Sequence, residues 1–287
     1  MTLLTRPSAP PAQGLTVWVN GQLYDDPRDA MVPVTDHGLV VGDGIFEAFK
    51  VTAAGPFAVQ RHLNRMSRSA AAMGLPAPDH GLVREGIAAV LSGRDFELGK
   101  VRVTYTGGRG PLGSQAAYGP VTLVVAAEAI EPASPIGTIV TAPWRRNEFG
   151  ALTGVKSTSY AENVRGLAYA KAHGASESIF ANTAGNLCEG TGTNVFCVFG
   201  DQVVTPPLVS GPLAGVTREL LLEWWPVVER DLTMMEAKAA DEVFLTSSLR
   251  DVQGIARWDD LEFASSRPVT DQVVQVFAER SAAELDP

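Results

Sequence analysis

The sequence predicts a mixed α+β protein made of two domains. Three observations carry this. Strand-like and helix-like patterns both run along the 287 residues, without the strict alternation that parallel βαβ units would show. A chain of this length has room for two ordinary cores. A proline- and serine-bearing stretch, "EPASP" at residues 131–135, interrupts the pattern near the middle. The expected layout is a flexible N-terminal tail over 1–14, a smaller α+β domain over 15–130, a linker over 131–137 and a larger α+β domain over 138–287.

Each element has a local reason. "LTVWVNGQLY" reads as two strands joined by an Asn-Gly turn, the strongest short hairpin signal. "GIFEAFKV" alternates as a strand, Ala53–Pro56 reads as a turn, and "PFAVQ" is expected to return as a second strand. In "RHLNRMSRSAAAMG", Leu63, Met66, Ala70 and Met73 recur at helical spacing and Gly74 is placed to cap the helix. "KVRVTYTGG" and "PVTLVVAAEAI" are strands flanking the glycine-rich loop "GGRGPLGSQ". After the linker come the strand "TIVTAPW", a helix near 159–173, and successive strands through "SIFANTAGNLCEGTGTNVFCVFGDQVVTPP". The helix "VTRELLLEWW", the strand "DEVFLTSS" and the terminal helix "TDQVVQVFAERSAAEL" complete the order.

Composition narrows the function classes. The formal net charge of −9 opposes a nucleic-acid or anionic-membrane partner, since phosphate backbones are met by clustered Lys and Arg. No apolar run approaches the roughly 20 residues of a membrane helix. The opening "MTLLTRPSAPPAQG" lacks the apolar centre of a signal peptide. The two cysteines, Cys188 and Cys197, have neither disulfide-framework nor metal-site spacing. The expectation is a cytoplasmic enzyme with reduced thiols and no metal.

The chemistry-bearing stretches are weak one by one. Lys156, one of five lysines, follows Gly154-Val155 and precedes small hydroxyl residues, with no acidic neighbour in sequence. "EGTGTN" at 189–194 offers a carboxylate and then amides and hydroxyls suited to a phosphate rim. "AGVTREL" at 214–220 opens a helix, whose free amides and positive dipole end favour an anion. "LTSSLRD" at 245–251 ends a strand in two serines. Together they are what pyridoxal phosphate requires: an amine for its aldehyde, a carboxylate for its pyridine nitrogen and several phosphate-holding turns.

The order of these motifs resembles that of the fold-type IV pyridoxal-phosphate enzymes. That family comprises branched-chain aminotransferases, D-amino-acid aminotransferases, (R)-amine transaminases and aminodeoxychorismate lyases. The resemblance runs from about Val17 to about Phe277, through "WVNG", "DHGLVVGDGIFEAFKV", "RHLNRM", "VKSTSYAENV", "LCEGTGTNVF", "LAGVTRE" and "DEVFLTSSLRD". It implies a two-domain D-amino-acid-aminotransferase-like fold with the cofactor at the domain interface, a homodimer, and small-molecule amino donors and keto acids as reaction partners.

Carried over residue by residue, the resemblance makes Lys156 the Schiff-base lysine and the proton-moving base, and Glu189 the partner of the pyridine nitrogen. Arg65 matches the phosphate-binding arginine, with Arg61 and Arg68 close by; Val216 and Thr217, then Ser247 and Ser248, match the two phosphate turns. Thr193 and Asn194 complete the rim.

The substrate side departs from each relative. "GDG" and "TSSLRD" stand apart from the branched-chain pattern, and Phe46 stands where the D-amino-acid type has tyrosine. The loop "TYTGGRGPLGS" carries Arg109 but no histidine, so the usual Arg-x-His carboxylate trap is incomplete. The arginines available for a substrate carboxylate are Arg109 and Arg146, preferred, then Arg250, and Arg28 from a neighbouring subunit. The expected activity is a transaminase for D-amino acids or (R)-amines, with aminodeoxychorismate lyase as the alternative and a branched-chain L-amino-acid aminotransferase third.

Overall fold

The computed structural model describes residues 14–24 and 26–287, so the tail expected over 1–14 lies, but for Gly14, outside the described residues. A first sheet contains β1 (Thr16–Val19), β2 (Gln22–Tyr24), β3 (Gly44–Thr52), β4 (Gly55–Pro56), β5 (Leu98–Thr106) and β6 (Thr122–Ala129). Its order is β2-β1-β6-β5-β3-β4, antiparallel throughout. The β1–β2 hairpin turns on Asn20 and Gly21, both at positive φ (48° and 95°), as the Asn-Gly pair predicts.

A short helix α1 (His37–Val40) precedes β3, and α2 (Val59–Met73) and α3 (His80–Leu91) cover the sheet. Leu63, Met66 and Ala70 of α2 and Val83, Ile87 and Val90 of α3 pack against Phe49, Val101, Val103 and Val125. Gly74 ends α2 at φ 70°, donating its N–H to the carbonyls of Ala70 and Ala71. "PFAVQ" is not a returning strand. Only Gly55–Pro56 pairs with β3, and Ala58, at φ 54°, turns the chain so that α2 starts at Val59. Sequence reading also passed over α3, whose N-cap Asp79 accepts the N–H groups of Gly81 and Leu82.

The second sheet has nine strands: β7 (Ile136–Arg146), β8 (Glu177–Asn182), β9 (Leu187–Gly190), β10 (Asn194–Phe199), β11 (Gln202–Thr205), β12 (Val227–Glu229), β13 (Glu242–Ser247), β14 (Asp251–Trp258) and β15 (Leu261–Glu262). The order is β12-β11-β10-β13-β14-β7-β8-β9, with β15 on β14; the β11–β12, β14–β7 and β7–β8 pairs are parallel. Helices α4 (Ala161–Ala172), α5 (Val216–Trp224), α6 (Met234–Lys238) and α7 (Pro268–Ala283) accompany it. One apolar cluster joins Phe196, Phe244, Leu220 and Phe277 beneath α5 and α7; another gathers Ile139, Ile179, Val195 and Trp258. No helix among the described residues is long and apolar enough to cross a membrane.

Lys50 of β3 reaches Asp251 of β14 at 2.6 and 2.7 Å and ties the sheets together. Where they meet, a cavity of about 800 Å³ takes its walls from β3, α2, the loop after β7, the strands around 189–194 and the N-terminus of α5.

Candidate active site

Lys156 enters this cavity from an irregular loop pinned to β3 by an isolated antiparallel bridge. Phe46 N–H donates to the Lys156 carbonyl at 2.9 Å, Ser157 bridges to Ile45, and Thr158 N–H donates to the Gly44 carbonyl at 2.8 Å. From α2, Ser69 Oγ accepts the Lys156 N–H at 3.3 Å. The side chain is half-buried, with Nζ 4.5 Å from the Phe46 ring centre and 5.8 Å from that of Tyr160. Loss of water, then the Arg65 charge, lowers the ammonium pKa to about 8, although Glu47 and Glu189 pull the other way. Near physiological pH a larger share of this amine is neutral than for an ordinary lysine, although the ammonium form still predominates.

Glu189 lines the same cavity from β9. Its Oε2 accepts the Leu213 N–H at 2.8 Å and its Oε1 stands 3.5 Å from Arg146 Nε. Burial raises its pKa, opposed by Arg146, the Leu213 hydrogen bond and Lys156. Asn194 donates its side-chain amide to the carbonyl of the same Leu213 at 2.8 Å, so Glu189 and Asn194 clamp both sides of one peptide segment ahead of α5. That helix starts at Val216 with Gly215 as N-cap and no side-chain cap, leaving its first amides free at the cavity wall.

Arg65 is buried and bound in a fork to Glu47, Nε to Oε1 at 2.9 Å and Nη2 to Oε2 at 2.6 Å, while Nη1 donates to the Ala214 carbonyl. Arg65, Val216, Thr217, Ser247 and Ser248 all line the cavity, as do Thr193 and Asn194. Thr193 Oγ1 and Thr246 Oγ1 are buried there without a hydrogen-bond partner. Buried polar groups are rarely left unpaired, so these hydroxyls, the free amides and Arg65 form a cradle suited to an anionic, oxygen-rich group.

The arginines proposed for a substrate carboxylate separate clearly. Arg146 lines the cavity, stacks over Phe180 at 4.5 Å, donates to Glu162 at 3.0 Å, and keeps Nη2 unpartnered. Arg250 also lines the cavity but its Nη1 donates to buried Glu177 at 2.7 Å. Arg109 is exposed on its loop, and Arg28 is exposed and paired to Asp26 at 2.5 Å; neither lines the cavity. Sequence reading missed Arg102. On β5 it sits opposite Ala48, a cavity residue, so the two share a sheet face, although Arg102 itself is exposed and is not among the residues that line the cavity. Its guanidinium lies 3.8 Å from the Phe46 ring centre, its Nε donates to Thr104 Oγ1 at 3.2 Å, and it makes no ion pair among the described residues. Strand alternation around "KVRVTYT" was the available signal. Tyr160 was also missed, four residues beyond Lys156. Its ring meets Phe46 edge-on at 5.1 Å and its hydroxyl donates to the Thr191 carbonyl at 3.3 Å; burial and then Glu189 push its pKa up to about 12.

Against known proteins, the sequence pattern of the family described as Amino-transferase class IV matches residues 44–258. The chain belongs to that family. This class IV aminotransferase is 30% identical over 251 residues to a putative branched-chain-amino-acid aminotransferase of Methanocaldococcus jannaschii, covering 83% of this chain and 86% of that one. It is 27% identical to the aminodeoxychorismate lyase of Bacillus subtilis, over 94% and 95% of the two chains. Its fold matches a fold IV-transaminase of Curtobacterium pusillum with TM-score 0.82 and 27% identity, covering 92% and 99%. The cofactor of the family, pyridoxal 5′-phosphate, is that of this enzyme, and the amine, carboxylate and phosphate-type cradle fit it.

Proposed function

We propose that this class IV aminotransferase moves an amino group from a D-amino acid or an (R)-amine to a 2-keto acid. The observation that carries the catalytic part is Lys156: an amine with pKa lowered to about 8, in one cavity with Glu189 and the phosphate-type cradle. Pyridoxal phosphate, when bound, supplies an aldehyde that takes up amines and a ring that withdraws electrons from the carbon losing its proton. Arg65, the Val216 and Thr217 amides, Ser247, Ser248 and the Thr193 and Thr246 hydroxyls would hold its phosphate. Asn194 fixes the Leu213 segment, and Glu189 would face the ring nitrogen with its charge supported by Arg146 and Leu213. Lys156 is the base that takes the substrate proton and returns it. Arg146, which lines the cavity and keeps an unpartnered donor, would receive a substrate carboxylate, with Arg102 beside the Phe46 ring as the second candidate.

The D- or (R)-preference rests on the departures of "GDGIFEA" and "TSSLRD" from the branched-chain pattern. A second reading, aminodeoxychorismate lyase, is favoured by the match along 95% of the Bacillus subtilis lyase. Amino transfer and elimination use the same lysine but part after the proton is removed. Holoenzyme is mixed with D-alanine, (R)-1-phenylethylamine or L-leucine without a keto acid. Loss of the cofactor's visible band with D-alanine or the (R)-amine, faster than with L-leucine, is the expected result. L-leucine reacting fastest would point to a branched-chain enzyme. No reaction with any donor, together with 4-aminobenzoate formed from aminodeoxychorismate, would establish the lyase.

The chain divides near residue 133 in this reading, supported by β6 ending at Ala129 in one sheet and β7 starting at Ile136 in the other. We also read it as a cytoplasmic homodimer. The exposed Met31, Val34, Leu39, Leu112 and Tyr118 supply apolar surface for a second copy. Sedimentation at the mass of one chain would contradict the dimer.

A further inference from the structure

Behind the cradle lies a second layer that the reaction above does not use. Glu47 is buried on β3, and its Oε2 contacts both Arg65 Nη2, at 2.6 Å, and His62 Nδ1, at 2.7 Å. The other imidazole nitrogen of His62, Nε2, lies 3.3 Å from Ser248 Oγ at the cavity wall. His62 is 1% exposed. It thus joins a buried carboxylate to one hydroxyl of the proposed phosphate turn.

Hydrogen counting fixes the direction of this chain. Burial alone would raise the Glu47 pKa, but the Arg65 charge and hydrogen bonds, with His62, hold it down at about 2. The carboxylate is therefore only an acceptor, and Nδ1 of His62 must carry a hydrogen. Three charged groups face the imidazole: Glu47 from β3, Arg65 from its own helix, and Lys156 from the loop after β7. Phe49 contributes a ring at 5.1 Å, and the turn after β13 contributes only the neutral Ser248. Burial, aided by Arg65 and Lys156, lowers the His62 pKa despite Glu47. With the cradle free of anion the ring is neutral, Nε2 is an acceptor, and Ser248 O–H donates to it.

A phosphate dianion changes that arrangement, because it too can only accept. If Ser248 turns its single hydrogen to the anion, Nε2 and Ser248 Oγ face each other lone pair to lone pair inside the protein. Adding a proton to Nε2 removes the conflict and lets His62 donate to Ser248 while Ser248 donates to the anion. The anion's negative charge favours the same imidazolium. We propose that His62 takes up one proton from solvent when a phosphate-type dianion occupies the cradle, freeing the Ser248 hydroxyl to donate to it. His62 is a positioning residue in this scheme. The inference rests on the cofactor reading above.

The test reads the imidazole directly. The chain has four histidines, so nitrogen NMR of protein labelled with 15N-histidine resolves each ring, and His62→Gln identifies its signal by subtraction. Should that variant not fold, His80→Gln and His173→Gln narrow the assignment instead. At pH 7.5 the cofactor-stripped full chain should show His62 as the neutral Nδ1–H form, and the holoenzyme should show it as imidazolium. A His62 signal in the same protonation state in both overturns the proposal.

A second measurement uses 4-deoxypyridoxine 5′-phosphate, which has no aldehyde for Lys156. Its affinity for wild type should fall with rising pH more steeply than for His62→Gln, by up to about tenfold per pH unit for one linked proton. Parallel curves overturn the proposal. If pyridoxal phosphate yields no visible band and its deoxy analogue does not bind, the cofactor reading fails and this inference with it. Binding of both with a silent His62 removes this inference alone.

Discussion

Phe46 N–H donates to the carbonyl of Lys156 at 2.9 Å, and the Lys156 amine rests 4.5 Å from the centre of the Phe46 ring. One residue of the first sheet therefore contacts both the backbone and the side chain of Lys156. The Phe46 face also carries Arg102 at 3.8 Å, which brings a second cation close to that amine. Loss of water and the Arg65 and Arg102 charges act against the ammonium form, while Glu47 and Glu189 act for it.

The first prediction concerns pH and stability without cofactor. In the folded chain the Lys156 pKa is about 8, against 10.5 for the unperturbed group. Between those values the unfolded chain holds more protons than the folded one, so stability rises with pH across that window. Below it the cost of holding a charged Lys156 is fully present. Lys156→Met should be more stable than wild type at pH 7 and should lose the rise towards pH 9.5, as read by urea midpoints. Equal pH profiles for the two proteins would mean the amine is well solvated. The same variant should show no amino transfer.

Glu189→Gln should leave the fold intact, because a glutamine oxygen still accepts the Leu213 N–H. It removes the negative charge, and kcat should fall by roughly 10²–10³, the scale for losing one preorganised electrostatic contact. Single-turnover kinetics with saturating donor checks this. A loss below about threefold would place the ring-nitrogen partner elsewhere.

Alanine at Arg102 or Arg146 should raise KM for an amino acid by roughly tenfold to a hundredfold, the range for a charge-assisted hydrogen bond of about 1.5–3 kcal/mol. A matched amine without the carboxylate should be affected far less by the Arg102 change, whereas the Arg146 change should also lower its kcat, because Arg146 supports the Glu189 charge. Arg109→Ala and Arg28→Ala should be near neutral within one chain, while Arg250→Ala should lower stability by leaving buried Glu177 without its cation. Parallel losses on both substrates would show that the arginine shapes the site rather than reads the carboxylate.

Gly215→Ala tests the entrance to α5. An added Cβ collides with Asn194 Oδ1, whose amide holds the Leu213 carbonyl. Either the Asn194 amide turns and releases the Leu213 carbonyl or the segment ahead of the free helix amides shifts, and cofactor affinity should fall by about tenfold or more, since displacements near 1 Å can cost on the order of 10² at a preorganised site. Equilibrium binding measured beside thermal unfolding separates this from a general loss of fold. Unchanged affinity would mean the α5 amides do not meet the phosphate.

Much of the architecture was legible because its causes are local. The Asn20-Gly21 turn, the apolar spacing of α2 and its Gly74 cap each depend on a few consecutive residues, and the structure has all three. "PFAVQ" misled because nothing in its pattern marks the left-handed Ala58 that starts a helix instead. Helix α3 was passed over although Asp79 caps it and Val83, Ile87 and Val90 recur at helical spacing.

The sequence by itself determined the order of the motifs, the family and the identity of the amine and carboxylate that share the cavity. Only the tertiary structure decided which arginines are engaged and which remain available. Arg250 is neutralised by Glu177, 73 positions away, Arg146 reaches Glu189, and Arg102 is left over Phe46 without an ion pair among the described residues. It also joined His62 to Ser248, 186 positions apart. Turns and periodicity are set by neighbours along the chain. The charge and hydrogen-bonding state of a side chain is set by neighbours in space, which the folded sheets alone bring together.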